Sequence, residues 1–119
     1  MKAKKFPLFN LFVGSDRQHY FSLYAVNGEI IFSSEGYTSE AGAQKGIAAV
    51  KRQSCFEKNF TRKVNANYDY WFTLDANNNE ILGRSEMYST AYNRDNGIKA
   101  VMRDAPVAEI LKTDQSIRK

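Results

Sequence analysis

The chain has 119 residues, 43% of them apolar and 13% aromatic, enough for one hydrophobic core and too apolar for a disordered segment. Its 17 Lys and Arg against 13 Asp and Glu give a net charge of +4, but residues 6 to 112 hold 12 of each sign, so the excess lies in the tails, at Lys2, Lys4, Lys5, Arg118 and Lys119. That placement argues against a nucleic-acid face on the folded part, no apolar run approaches the roughly 18 residues of a membrane span, and the single Cys55 allows no internal disulfide.

The opening MKAKKFPLF has no apolar h-region and no small-residue cleavage site, so the chain is expected in the cytoplasm. Residues 6 to 13 read as a first strand, followed by the turn formers Gly14, Ser15 and Asp16. In residues 20 to 26, Phe21, Leu23 and Ala25 alternate as on a half-buried strand. Asn27-Gly28 then predicts a two-residue type I′ hairpin, with Ile30 and Phe32 completing the core face.

After the third strand the period changes to that of a helix. Thr38 or Ser39 can cap a helix running to about Gln53, whose inner face carries Ala43, Gly46, Ile47 and Val50. A strand is expected within residues 55 to 64, and the same order then recurs. Strands are predicted at residues 60 to 65 and around Phe72, Leu74 and Ala76, with a turn at Asn78-Asn79 and a strand through Ile81. A helix capped by Thr90 presents Gly97, Ile98 and Val101, and residues 107 to 111 follow Pro106 as a last strand. Glycine costs about 1 kcal/mol inside a helix, so its recurrence at 46 and 97 predicts close approach of each helix to the sheet.

This recurrence is a sequence duplication. Residues 20 to 53 align without a gap on residues 71 to 104, at an offset of 51, with 14 of 34 positions identical. Units of about fifty residues are marginal alone, so the two copies, about 6 to 56 and 57 to 112, are expected to share one core within a single domain spanning 1 to 119. The fold class is α+β, with two tandem β-β-β-α-β motifs related by a pseudo-twofold.

The doubled pattern F-x-L-x-A-x-N-(G/N)-E-I, then S-E-x-Y, then G-I-x-A-V, resembles the YegP-like family of small bacterial proteins, and the likeness covers residues 6 to 112. The resemblance implies one mainly antiparallel sheet with both helices on one face and the C-terminal strands exchanged between motifs. Residues 107 to 111 would lie beside the first copy, and residues 55 to 59 beside the second. It implies a monomer that reproduces a homodimer. No reaction or cofactor comes with it.

Two groups of residues stand out as candidate sites. The duplicated turn cluster comprises Ser34, Glu35 and Tyr37 with Ser85, Glu86 and Tyr88. Its plainer reading is scaffolding, with Ser and Glu satisfying backbone groups and Tyr packed under the helix. Its catalytic alternative is a small hydrolase or isomerase that pairs Glu35 with Glu86. The second group is the sheet face turned away from the helices, where Tyr20, Tyr24, Ile31, Trp71, Leu82 and Arg84 are expected to be exposed as a surface for a protein partner. Weak single-stranded nucleic-acid binding by stacking is a further alternative.

His19 has no second ligand at metal-site spacing, Cys55 has no signature of a nucleophile, and Gly42 and Gly46 do not make a phosphate loop. No catalytic residue, metal or cofactor is therefore expected. Differences between the copies, such as Tyr24 against Asp75, Gly36 against Met87 and Ser33 against Arg84, are where one-sided specificity would be written.

Overall fold

Residues 5 to 113 are described by the computed structural model. In chain order they form β1 (Leu8–Val13), β2 (His19–Tyr24), β3 (Ile30–Ser34), α1 (Glu40–Gln53), β4 (Phe60–Val64), β5 (Tyr70–Asp75), β6 (Ile81–Arg84), α2 (Ala91–Asp104) and β7 (Glu109–Lys112). The strands join one sheet in the order β4-β5-β6-β3-β2-β1-β7, antiparallel throughout except for β7 on β1. The α+β architecture read from the sequence is the one observed.

Both helices begin where their caps predict. Ser39 Oγ accepts from the Gly42 amide and Thr90 Oγ1 from the Asn93 amide, each satisfying an otherwise orphaned first-turn donor. The buried helix positions, Ala43, Gly46, Ile47 and Val50 on α1 and Gly97, Ile98 and Val101 on α2, form one core with Phe9, Phe21, Leu23, Phe32, Phe72 and Leu74 from the sheet. The repeated helix glycines make this contact possible. A Cβ at Gly46 would lie 2.3 Å from the Tyr37 hydroxyl and 3.1 Å from Phe21, and one at Gly97 would lie 2.5 Å from the Tyr88 hydroxyl and 3.2 Å from Phe72.

The hairpins differ from the expected two-residue form. In all four tight connections the fourth residue returns its amide to the first carbonyl: Arg17 to Gly14, Gly28 to Ala25, Tyr68 to Asn65, and Asn79 to Ala76. Those four residues alone adopt positive φ among the described residues, between 61° and 84°. This is a type I turn closed by a left-handed residue, whose twist also suits a hairpin. Asn27 serves it through its side chain instead, accepting the Glu29 amide at 3.0 Å, as Asn78 accepts that of Glu80 at 3.1 Å.

A bulge follows in each copy. Tyr24 pairs with Ile30 and Leu23 with Phe32, leaving Ile31 extra, and Asp75 pairs with Ile81 and Leu74 with Gly83, leaving Leu82 extra. The consequence corrects the predicted core. Ile30 is only half-buried, whereas Ile31 and Leu82, expected on the exposed face, are 8% and 7% exposed.

The exchange of strands is observed, with one correction. β7 crosses to β1 of the first copy, and the strand that follows α1 joins the second copy. That strand is Phe60–Val64, not residues 55 to 59: Glu57–Asn59 is a single 3-10 turn and Cys55 is exposed. β4 therefore ends the first motif and begins the second. Its outer edge has no strand against it among the described residues, while the equivalent edge of β1 carries β7.

Apart from the exchanged β7, the copies join in the sheet through two β3–β6 pairs, Ser33↔Arg84 and Ser34↔Gly83. A Cβ at Gly83 would stand 2.4 Å from the Ser33 carbonyl and 2.6 Å from the Phe32 ring, whereas one at Gly36 would meet chiefly the movable end of Gln18. Gly83→Ala is expected to lower stability by about 2–3 kcal/mol in chemical denaturation and Gly36→Ala by less than about 0.5 kcal/mol. Equal effects would contradict the close approach at the junction.

Candidate functional site

The turn cluster is built from the strand ends. Ser34 Oγ accepts the Phe21 amide at 2.9 Å and donates to the Glu35 carbonyl at 2.9 Å, and Ser85 Oγ repeats both bonds with Phe72 and Glu86 at 3.1 and 2.7 Å. Tyr37 and Tyr88 exchange backbone hydrogen bonds with His19 and Tyr70, and their rings slide under the helices onto Gly46 and Gly97. Burial raises both phenols above their usual 10, helped by Glu35 and Glu80 at Tyr37 and by Glu86 and Glu29 at Tyr88. The hairpin tip of each copy thus lies near the tyrosine of the other.

The face opposite the helices is not an even surface. Register places Asn10, Ser22 and Ser33 side by side on it, with Phe12 and Tyr20 as the next pair along. These five, with Ile31, line a groove of about 630 Å³. Glu29 and Glu86 also line it, and no Lys or Arg does so among the described residues. Phe12 and Tyr20 are stacked, with ring centroids 5.8 Å apart and planes 21° apart. Of the predicted surface, only Tyr20 and Ile31 belong to the groove; Tyr24 and Trp71 are half-buried beyond it, Leu82 is buried and Arg84 is exposed. Of the two candidate carboxylates, Glu86 lines the groove and Glu35 does not.

Asn10 was not legible as a site residue, because one Asn inside an apolar strand has no motif. It is 2% exposed and its Oδ1 has no hydrogen-bond partner among the described residues, which costs about 1–3 kcal/mol for a buried acceptor. The second copy is built differently at this place. The position equivalent to Asn10 is Thr61, whose hydroxyl donates to Asp75 at 2.7 Å, and Thr73, the equivalent of Ser22, donates to the same carboxylate at 3.2 Å. In the first copy Tyr24 stands where the second has Asp75, and its ring packs towards Phe6.

Tyr20 donates its hydroxyl to Asp16 at the end of the groove. This bond holds the Asp16 carboxyl below its usual 3.8 and the Tyr20 phenol above 10. A lowered carboxyl pKa contributes stability above the unfolded value and loses it as pH falls through the folded one. In Tyr20→Phe the Asp16 carboxyl is expected to titrate closer to 3.8 by NMR; an unchanged titration would mean that the bond does not form in solution.

Ser34→Ala and Ser85→Ala each strip the acceptor from a strand amide and are expected to cost about 1–3 kcal/mol, the buried Ser85 more than Ser34. Glu35→Gln and Glu86→Gln, both at exposed positions, are expected to leave the melting temperature within a degree or two. A reversed order of effects would remove the serines from the scaffold.

Among the described residues no helix is long and apolar enough to cross a membrane. Residues 15–55 and 65–111 match the profile of a domain of unknown function, DUF1508, so the profile recognises both repeats. The UPF0339 protein YegP of Escherichia coli K12 is 45% identical over 93 residues, which cover 78% of this chain and 84% of that protein. A UPF0339 protein of Bordetella pertussis is 45% identical over 94 residues, 79% of this chain and 85% of its own length. The solution structure of E. coli YegP, titled a protein of unknown function, superposes with a TM-score of 0.87 at 36% identity, covering 98% of this chain and 100% of that one. That of a UPF0339 protein from Shewanella oneidensis gives 0.84 at 40% identity, with 88% and 89% covered. With both repeats recognised and the whole fold shared, the chain belongs to the YegP-like, DUF1508 family.

Proposed function

We propose that this protein is a non-enzymatic cytoplasmic binding module that holds a protein partner on the helix-free face of its first repeat. The observation that carries the reading is the unpartnered Asn10 amide oxygen, buried at a groove of about 630 Å³. Buried polar groups are ordinarily hydrogen-bonded, so an orphan beside an open groove is an acceptor waiting for a donor. Stacked Phe12 and Tyr20, both half-buried, add apolar contact area beside it. The two carboxylates in the lining disfavour a phosphate backbone, which supports the choice of a protein partner over nucleic acid.

Ser22, 7% exposed, lies in the groove floor between Asn10 and Ser33. Ser22→Trp fills it from beneath without touching the helix-facing core. Affinity capture from lysate with the parent and this variant, both checked as folded by circular dichroism, is expected to lose the parent's specific partners. Retrieval of the same partners by both proteins would overturn the reading.

A further inference from the structure

We infer that the groove of the first repeat is a receptor for an arginine side chain presented by a polypeptide partner, an inference that rests on the binding role proposed above. The groove offers three things together. Its buried acceptor, Asn10 Oδ1, lacks a donor; its lining carries Glu29 and Glu86 and no cation among the described residues; and the Phe12–Tyr20 pair supplies flat aromatic faces beside them. Outside the lining, Asp16 accepts the hydroxyl of Tyr20, which fixes that ring. Arg84, the cross-strand partner of Ser33 at the junction, is exposed and outside the lining.

A guanidinium answers each of these features. It is planar, always charged, and carries five N–H donors but no acceptor, so it can stack on an aromatic ring while donating in its own plane to an amide oxygen and a carboxylate. Its three-methylene stem can cover the half-buried rings of Phe12 and Tyr20 on the way in. An ammonium group has the charge but lacks the plane, and a neutral urea has the plane but lacks the charge. The second repeat is built differently at the matching positions, because Asp75 already accepts from Thr61 and Thr73 and leaves no orphan there.

The test uses the full chain, isotope-labelled, with blocked Gly-Arg-Gly, Gly-Lys-Gly and Gly-citrulline-Gly tripeptides as probes and NMR chemical shifts as the readout. The arginine peptide is expected to shift the amides of Asn10, Ser22, Ser33 and Glu86 and to bind at least about tenfold more tightly than the citrulline peptide, the ratio set by the lost charge-assisted bonds. Glu86→Gln is expected to weaken it severalfold. Asn10→Leu is expected to abolish the shifts while its melting temperature stays equal or rises, since it removes an unpaired acceptor rather than a bond. If Asn10→Leu does not fold, Glu86→Gln and the citrulline comparison decide. Equal binding of citrulline, shifts elsewhere, or tighter binding of free arginine than of the peptide would overturn the inference. Loss of partners in Ser22→Trp together with no arginine binding would overturn the arginine receptor alone; retained partners would overturn the binding face itself.

Discussion

The two three-stranded meanders of this protein, β1 to β3 and β4 to β6, are held in one sheet by a junction of two residue pairs, Ser33↔Arg84 and Ser34↔Gly83, and the rest of the architecture depends on that short seam. Because Ser33 and Arg84 are equivalent positions of the duplication, the pseudo-twofold passes between them, perpendicular to the sheet. So few backbone bonds would not fix two units by themselves. Gly83 lets the strands close onto the Ser33 carbonyl and the Phe32 ring, and α1 and α2 extend one core across both sides of the seam. Buried Asp104 at the end of α2 adds a tie, accepting the Val26 amide of the first copy at 3.3 Å while paired with Arg103.

A twofold arrangement of equal halves would leave equal edges and equal faces, and neither is found. β7 lies parallel on β1, so β1 is interior and apolar at Leu8, Phe9 and Leu11. Its equivalent, β4, lies at the rim, where Thr61, Arg62, Lys63 and Val64 are exposed and Arg62 bridges Glu57 and Asp95, each at 3.0 Å. Charged side chains on a rim strand discourage further strand pairing. The same asymmetry buries Asn10, whose cross-strand neighbours are Ser22 and Leu111, while its counterpart Thr61 stays at the surface and bonds to Asp75. The groove therefore lies where the duplicated scaffold differs between its copies, with Asn10, Ser22 and Ser33 standing where the second copy has Thr61, Thr73 and Arg84.

The elements were legible because their signals are local. Alternation at Phe21, Leu23 and Phe32, the caps Ser39 and Thr90, and the repeated helix glycines act within a few residues, and the duplication reported each of them twice. The turn cluster was legible as scaffold for the same reason, since Ser34 and Ser85 recur with the strand amides they accept. The turns were misread in type because Asn27-Gly28 suits two geometries, and the choice between them is made by sheet twist, which also inserted the bulges that buried Ile31 and Leu82.

By itself the sequence determined the duplicated β-β-β-α-β plan, the helix faces and the family, since hydrophobic period, capping and repetition are properties of neighbouring residues and of residues at one constant spacing. Only the tertiary structure decided which strands are rim and which are interior, that Asn10 is buried without a partner, and that Glu86 and not Glu35 faces the groove. Those outcomes depend on contacts between residues far apart in the chain, such as Asn10 with Leu111, and on the closing of two near-identical halves around a seam that no local signal records.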